Sequence, residues 1–288
     1  MRLLENIGRN IESKIKQELD SLGFFYRIFG RVKNIDSARN KIEFKNYAKH
    51  GKKLQDSIGI RVILYFPEDI QLVKKILIDN FVLDNKEEDD HGTETFKPQR
   101  FNYVSRIPEK FIEEYKEIIS SYDLKDVDET FEVQLRTVFS EGWHEVEHDL
   151  RYKCKEDWED HQEFSRVLNG IYATLETSEW SMLKLFDSIS YKDYNNNKWD
   201  SMLRNKFRLR FTNTMLNPDL IAIFNSKPDV VKEIFKTNRN RVLTSLYEKK
   251  IKVPLTISNL VFIINHLELR NDDISKKTPK PILEILEI

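Results

Sequence analysis

The sequence predicts an α/β protein: a mixed β-sheet flanked by helices, followed by a small all-α C-terminal domain. Three observations carry this. Up to about residue 190, short apolar and alternating stretches are interleaved with helical spacings, the pattern of a sheet covered by helices. Beyond residue 200 only helical spacings recur. The charge also divides, with 13 Lys/Arg against 5 Asp/Glu in residues 201–270 and 3 against 4 in 271–288. From chain totals of 47 and 48, that leaves 31 against 39 in residues 1–200. An acidic front and a basic back mark two modules, the second a candidate polyanion surface.

The elements follow in order. Leu4, Ile7, Ile11, Ile15 and Leu19 fall on one helical face, with Gly23 as the stop. Phe24 to Val32 is aromatic and β-branched and reads as a strand. Asp36 or Ser37 is expected to cap a helix running to Lys45. Ser57 to Phe66 is the strongest strand signal, ended by Pro67, and Asp69 to Phe81 is helical. Residues 84–95 are acidic and read as a loop. Arg100 to Ile107 is a strand ended by Pro108, and Phe111 to Ser120 a helix. Thr130 to Arg136 alternates, with Phe131, Val133 and Leu135 on one face and Glu132, Gln134 and Arg136 on the other. Helices are expected over Val138–Tyr152 and Gln162–Ile189. The first domain is therefore placed at 1–192, a linker around Asn195-Asn196-Asn197 at 193–200, and a basic domain of three or four helices at 201–288.

Composition narrows the class. Charged residues make up 33% and aromatics 11%, ordinary for a globular protein. A single cysteine, Cys154, excludes an intrachain disulfide framework. No stretch reaches the apolar length of a membrane helix or signal peptide, so a cytoplasmic protein with no membrane partner is expected.

Four polar sets carry the chemistry. Arg31, Lys33, Ser37 and Lys41 bring three cations and a hydroxyl to a strand-to-helix passage, suited to neutralising a polyphosphate. Asp56 and Arg61 flank Gly59 at the entry to the apolar strand, and a carboxylate there suits Mg²⁺. Glu132, Gln134 and Arg136 line the polar face of a strand. Trp143 to Lys153 then reads Trp-His-Glu-Val-Glu-His-Asp-Leu-Arg-Tyr-Lys. Within it, His144-Glu145-Val146-Glu147-His148 fits a zinc pattern. Arg151 and Cys154 occupy the places of the glycine and third histidine of its extended form, so no zinc is expected.

Taken together, Arg31-x-Lys33-x3-Ser37-x3-Lys41, Asp56-x2-Gly59-x-Arg61, Glu132-x-Gln134-x-Arg136-Thr137, Glu147-His148 and Tyr152-Lys153 resemble, in order and spacing, the RelA/SpoT alarmone synthetase family over about residues 25–155. The resemblance implies that Arg31 and Arg61 sandwich the adenine of ATP, and that Lys33, Ser37 and Lys41 contact its phosphates. It implies that Asp56 and Glu132 bind Mg²⁺, with Glu132 also the base and Gln134 and Arg136 beside it in the catalytic strand. The implied reaction moves the β,γ-pyrophosphate of ATP to a 3′-hydroxyl and releases AMP. Tyr103, Ser105 and His148 are the implied acceptor-side residues. There the sequence departs from the family's Gly-Tyr-x-Ser-x-His: Asn102 replaces the Gly and Ile107 the His. GDP or GTP as acceptor is thereby set against other nucleotides or tRNA, with RNA contact by the C-terminal domain and a homo-oligomer left open. The alternative is a non-catalytic nucleotide-binding sensor or partner module on the same fold.

Overall fold

The computed structural model describes residues 2–88 and 101–287. The chain forms two compact units, one of residues 1–17 and 26–179, the other of residues 18–25 and 180–288.

The first unit is built on α1 (Arg2–Ser21), β1 (Tyr26–Val32), α2 (Ile35–Phe44), α3 (Tyr47–His50), β2 (Ile58–Leu64), α4 (Ile70–Asn80), β3 (Leu83–Glu88), β4 (Phe101–Arg106), α5 (Glu109–Ser121), β5 (Thr130–Thr137), α6 (Val138–Glu147) and the start of α7 (Gln162–Asn195). The five strands make one sheet in the order β1-β2-β5-β4-β3. Only β2 and β5 run parallel; the other neighbours are antiparallel. The expected mixed sheet is present, with one strand more than the sequence predicts. The acidic stretch read as a loop forms β3 over 83–88, and residues 89–95 lie outside the described residues. As an edge strand, β3 pairs on one side only and can carry charged side chains.

Strand alternation sorts the two faces. Ile58, Ile60, Val62 and Leu64 of β2 and Phe131, Val133 and Leu135 of β5 are all buried. Over the β1–β2 end of this core face lies α1, which buries Leu4, Ile7, Ile11 and Ile15. A Cβ at Gly8 would come within 3.5 Å of Ile58 and 3.9 Å of Val32. Each such Ile or Leu contributes roughly 1.5–3 kcal/mol on burial, which anchors α1 to this face and leaves the other for a site.

Two local boundaries differ from expectation. The cap of α2 is Asn34, whose side chain accepts from the Asp36 backbone N–H, so Asp36 and Ser37 fall inside the helix. The helix expected to run to Tyr152 ends as α6 at Glu147 and passes into a π-helical turn, His148–Tyr152.

The second unit takes in the last part of α7 and then α8 (Trp199–Phe207), α9 (Pro218–Ser226), α10 (Pro228–Lys236), α11 (Arg239–Glu248), α12 (Ile257–Ile264), α13 (Asp272–Lys277) and α14 (Lys280–Leu286). The segment expected as a linker is helical up to Asn195 and again from Trp199. Cations of the expected basic surface are engaged within this unit. Arg208 is buried and pairs with Asp187 at 2.8 Å. Buried Arg239 donates from Nε to the Phe207 carbonyl at 2.6 Å. Arg210 donates to the Phe24 carbonyl at 2.8 Å, and Lys206 lies 5.3 Å from the Phe235 ring centroid. These side chains tie helices and loops together. Among the described residues, no helix is long and apolar enough to cross a membrane.

Candidate active site

The face of the sheet opposite α1 carries the polar residues in rows, because paired residues on neighbouring strands share a face. Arg31, Gly59, Glu132 and Val104 form one row across β1, β2, β5 and β4. Phe29, Arg61, Gln134 and Asn102 form the next. Gly59 brings no side chain between Arg31 and Glu132; a Cβ there would lie 3.9 Å from the Arg31 side chain.

Lys33, just past the end of β1, and Lys41, on α2, converge on Asp56. Lys33 Nζ donates to Asp56 Oδ2 at 2.6 Å and Lys41 Nζ to the same oxygen at 2.8 Å. The other carboxylate oxygen, Oδ1, is buried with no hydrogen-bond partner. Burial alone would raise the Asp56 pKa, but the hydrogen bonds and charges of the two lysines bring it below the ordinary value. Burial likewise pushes Lys33 down, while for Lys41 the pairing with Asp56 prevails and its pKa rises. Ser37 is exposed on α2, four residues before Lys41.

Glu132 lies within electrostatic reach of Asp56. Burial, and then the Asp56 charge, raise its pKa, against a hydrogen bond donated by Gln134 Nε2 to Glu132 Oε2 at 3.0 Å. Among the described residues no group of three or more His, Cys, Asp or Glu side chains is arranged to hold a metal. A Mg²⁺ ion accepts one or two carboxylates together with water and phosphate oxygens. Asp56 and Glu132 fit that demand, and the orphaned Asp56 Oδ1 is the observation that favours it.

Arg61 is held from two sides. Its Nε donates to Gln134 Oε1 at 3.3 Å and its Nη1 to Glu141 Oε1 at 2.6 Å, and Nη1 also pairs with Glu145. Glu141 and Glu145 lie four residues apart on α6, which starts directly after β5. A capping box makes this possible: the Ser140 N–H donates to Thr137 Oγ1 at 3.2 Å and the Thr137 N–H to Ser140 Oγ at 2.9 Å. Burial works against the Arg61 charge, but the two glutamates raise its pKa. His144, on the same helix, is pushed down to about 4 by burial and by the charges of Arg136 and Arg61, so its ring is neutral at pH 7.

The acceptor-side expectation is corrected in part. Tyr103 pairs with Val133 and Ser105 with Phe131, so both share the core face and not the face of Glu132. Both are buried, at 1% and 3% exposure. The residues of β4 that share the Glu132 face are Asn102, Val104 and Arg106. Arg136, itself buried, donates from Nη2 to Asn102 Oδ1 at 3.4 Å. The side chain that replaces the family's glycine therefore meets an arginine of the neighbouring strand. His148 lies in the π-helical turn beyond α6, against Asp149 at 3.0 Å and stacked on Tyr152 with ring centroids 5.6 Å apart. Sequence reasoning missed Glu141 and Glu145 as partners of Arg61. It also missed Phe29, 55% exposed beside Arg61 on this face. A period-2 reading of β1 from Arg31 backwards would have found Phe29.

Residues 30–157 match the family described as the region found in RelA / SpoT proteins. A curated relative, GTP pyrophosphokinase YjbM of Bacillus subtilis (strain 168), is 28% identical over 134 residues, which are 44% of this chain and 56% of the relative. The chain thus spans little more than half the length of that relative. Among solved structures, a GTP pyrophosphokinase family protein from Streptococcus pneumoniae is 21% identical with a TM-score of 0.49, over 65% of this chain and 90% of that one. The small alarmone synthetase 1 of Bacillus subtilis bound to its product pppGpp is 19% identical with a TM-score of 0.48, over 63% and 91%. Over residues 30–157 the chain is similar to the RelA/SpoT family.

Proposed function

We propose that the chain is a Mg²⁺-dependent pyrophosphokinase that moves the β,γ-pyrophosphate of ATP to the 3′-hydroxyl of an acceptor nucleotide. The observation that carries this reading is the pairing of Asp56 with Lys33 and Lys41 next to Glu132. It sets two carboxylates and two ammonium groups beside the row that holds Arg31 and one row from Arg61. Phosphoryl-type transfer depends mainly on positioning and charge neutralisation. Lys33 and Lys41, with Ser37 one helical turn away, neutralise and orient the triphosphate. Arg31 and Arg61 take the adenine. Asp56 and Glu132 would hold Mg²⁺, which would supply charge neutralisation to the phosphates.

Glu132 takes the proton of the acceptor hydroxyl. The acceptor oxygen forms a bond to the β-phosphorus, the bond between that phosphorus and the oxygen bridging it to the α-phosphorus breaks, and AMP leaves with the electron pair. The raised pKa of Glu132 suits a general base, which works best near the operating pH. On the acceptor side, Asn102, Val104 and Arg136 replace Tyr103 and Ser105 as the residues nearest in register to Glu132 and Gln134. The activity for which the curated relative is named makes GTP and its diphosphate GDP the first acceptors to try.

The test is AMP release from labelled ATP with GDP, GTP, ADP and bulk tRNA. AMP release matched by a new 3′-pyrophosphorylated product is the expected result. ATP binding without AMP release for any acceptor would overturn the enzyme reading in favour of a nucleotide sensor. Product on tRNA alone would overturn the mononucleotide assignment.

A further inference from the structure

Arg61 is an unusually constrained arginine for a half-buried position. Its Nε meets Gln134 on β5, and its Nη1 meets both Glu141 and Glu145 on α6. Hydrogen bonds to a guanidinium lie in its plane and run outward from its edge. Partners at the edge do not themselves occupy the flat faces. An arginine side chain loses rotamer freedom when it is ordered, and fixing it beforehand removes that cost from ligand binding.

The geometry of α6 is itself fixed. The capping box at Thr137 and Ser140 sets its start. Buried Trp143 donates from Nε1 to the Leu168 carbonyl at 2.9 Å and packs edge-on against Tyr172, with centroids 5.1 Å apart. The two glutamates are thereby delivered to Arg61 by an anchored helix. Glu141 is the costlier of the two. Its side chain is 13% exposed, one oxygen is committed to Arg61, and the other is buried with no hydrogen-bond partner. Burying a carboxylate with one oxygen unpaired is unfavourable, and the Arg61 contact is what offsets it. Glu145 is 54% exposed and adds its charge from the rim.

We infer that Glu141 and Glu145 are positioning residues that hold the Arg61 guanidinium by its edge, so that its faces are presented to a nucleobase beside Phe29. This rests on the ATP reading above. It adds that base recognition depends on two acidic residues that themselves repel the ligand's phosphates. That opposition gives the inference a signature. Removing either negative charge strengthens binding of any polyphosphate, with or without a base. Only the affinity for ATP relative to inorganic tripolyphosphate isolates the base contact.

Calorimetry with the full chain in magnesium buffer would compare ATP and tripolyphosphate for the wild type, Glu141→Gln, Glu145→Gln and the double variant Glu141→Ala/Glu145→Ala. In the double variant the ATP-to-tripolyphosphate affinity ratio should fall about tenfold, the scale of a desolvated cation–ring contact. The Gln variants keep a hydrogen-bonding oxygen and should retain most of the ratio. A ratio unchanged in the double variant, with ATP still bound by the wild type, would overturn the positioning role and leave the ATP site standing. Should the double variant misfold, Glu145→Ala at its half-exposed position carries the same test, and an unchanged ratio there overturns the part given to Glu145. No ATP binding by the wild type would remove the site reading and this inference together.

Discussion

Tyr103 of β4 stands directly across from Val133 of β5, on the face of the sheet that α1 and the apolar core occupy. The residue one step along, Val104, is the one opposite Glu132. A one-residue difference in a strand decides which side of the sheet a ring serves. Tyr103→Ala is therefore expected to act as a core truncation, costing about 3–5 kcal/mol of stability. A thermal melt should show the loss, while the KM for the acceptor in the surviving folded fraction stays near wild type. A normal melting temperature with a raised acceptor KM would return Tyr103 to the acceptor site.

Glu132→Gln should remove the base and keep the fold. The sign of its effect on stability follows from linkage. Burial and the neighbouring Asp56 raise the folded-state pKa of Glu132, so the charged form is penalised in the folded protein above that pKa. The neutral isostere lifts the penalty. The variant should lose AMP release entirely and melt at the wild-type temperature or above it. In the wild type, activity should fall as pH drops through the raised Glu132 value, since only the carboxylate accepts a proton.

Asp56 shifts the other way. Its folded pKa is below the ordinary value, so the stability it lends is present at neutral pH and is lost as pH falls through that lowered value. Asp56→Asn leaves Lys33 and Lys41 facing one another without a counter-charge. A loss of about 1–3 kcal/mol is expected, measurable by chemical denaturation at pH 7. Denaturation in the presence of ATP should restore part of it, because the triphosphate supplies the missing negative charge.

His144 gives a third pH-dependent effect. Its pKa is held down to about 4 against an ordinary 6.5. The unfolded chain therefore takes up a proton that the folded protein refuses, and stability declines as pH falls from about 6.5 toward 4. Half-burial limits the effect to an order of 1–3 kcal/mol. His144→Gln should flatten that part of the stability curve while leaving the melting temperature at pH 8 nearly unchanged.

Much of this was legible in the residues. β2 announces itself through an apolar run and β5 through strict alternation, and both lie where the pattern places them. β3 did not, because Leu-Asp-Asn-Lys-Glu-Glu has the composition of a loop; only pairing with β4 at a sheet edge makes it a strand. The cap of α2 was ambiguous for a local reason. Asn34, Asp36 and Ser37 are all good caps within four residues, and the backbone uses the first. In the site, Lys33, Lys41 and Asp56 were each named, but that two lysines share one oxygen of Asp56 is a tertiary fact. Glu141 and Glu145 carry no sequence signal of their own, since their contact with Arg61 exists only once α6 folds against β2 and β5.

The segment 18–25 belongs to the second compact unit although the chain makes it near the beginning. Leu19, Leu22 and Phe24 are buried there, and the Gly23 carbonyl accepts from the Arg210 backbone N–H at 2.7 Å. The two units are therefore interleaved along the gene and not strung one after another. A stop codon at position 200 would not excise the C-terminal helices as a cassette; it would leave three apolar side chains bare in the middle of the N-terminal sequence. Nor could the helical unit finish folding from its own stretch of message, since one of its walls is synthesised about 150 residues earlier than the rest. Loss or gain of the helices in a related gene would have to be matched by a change in this short upstream segment.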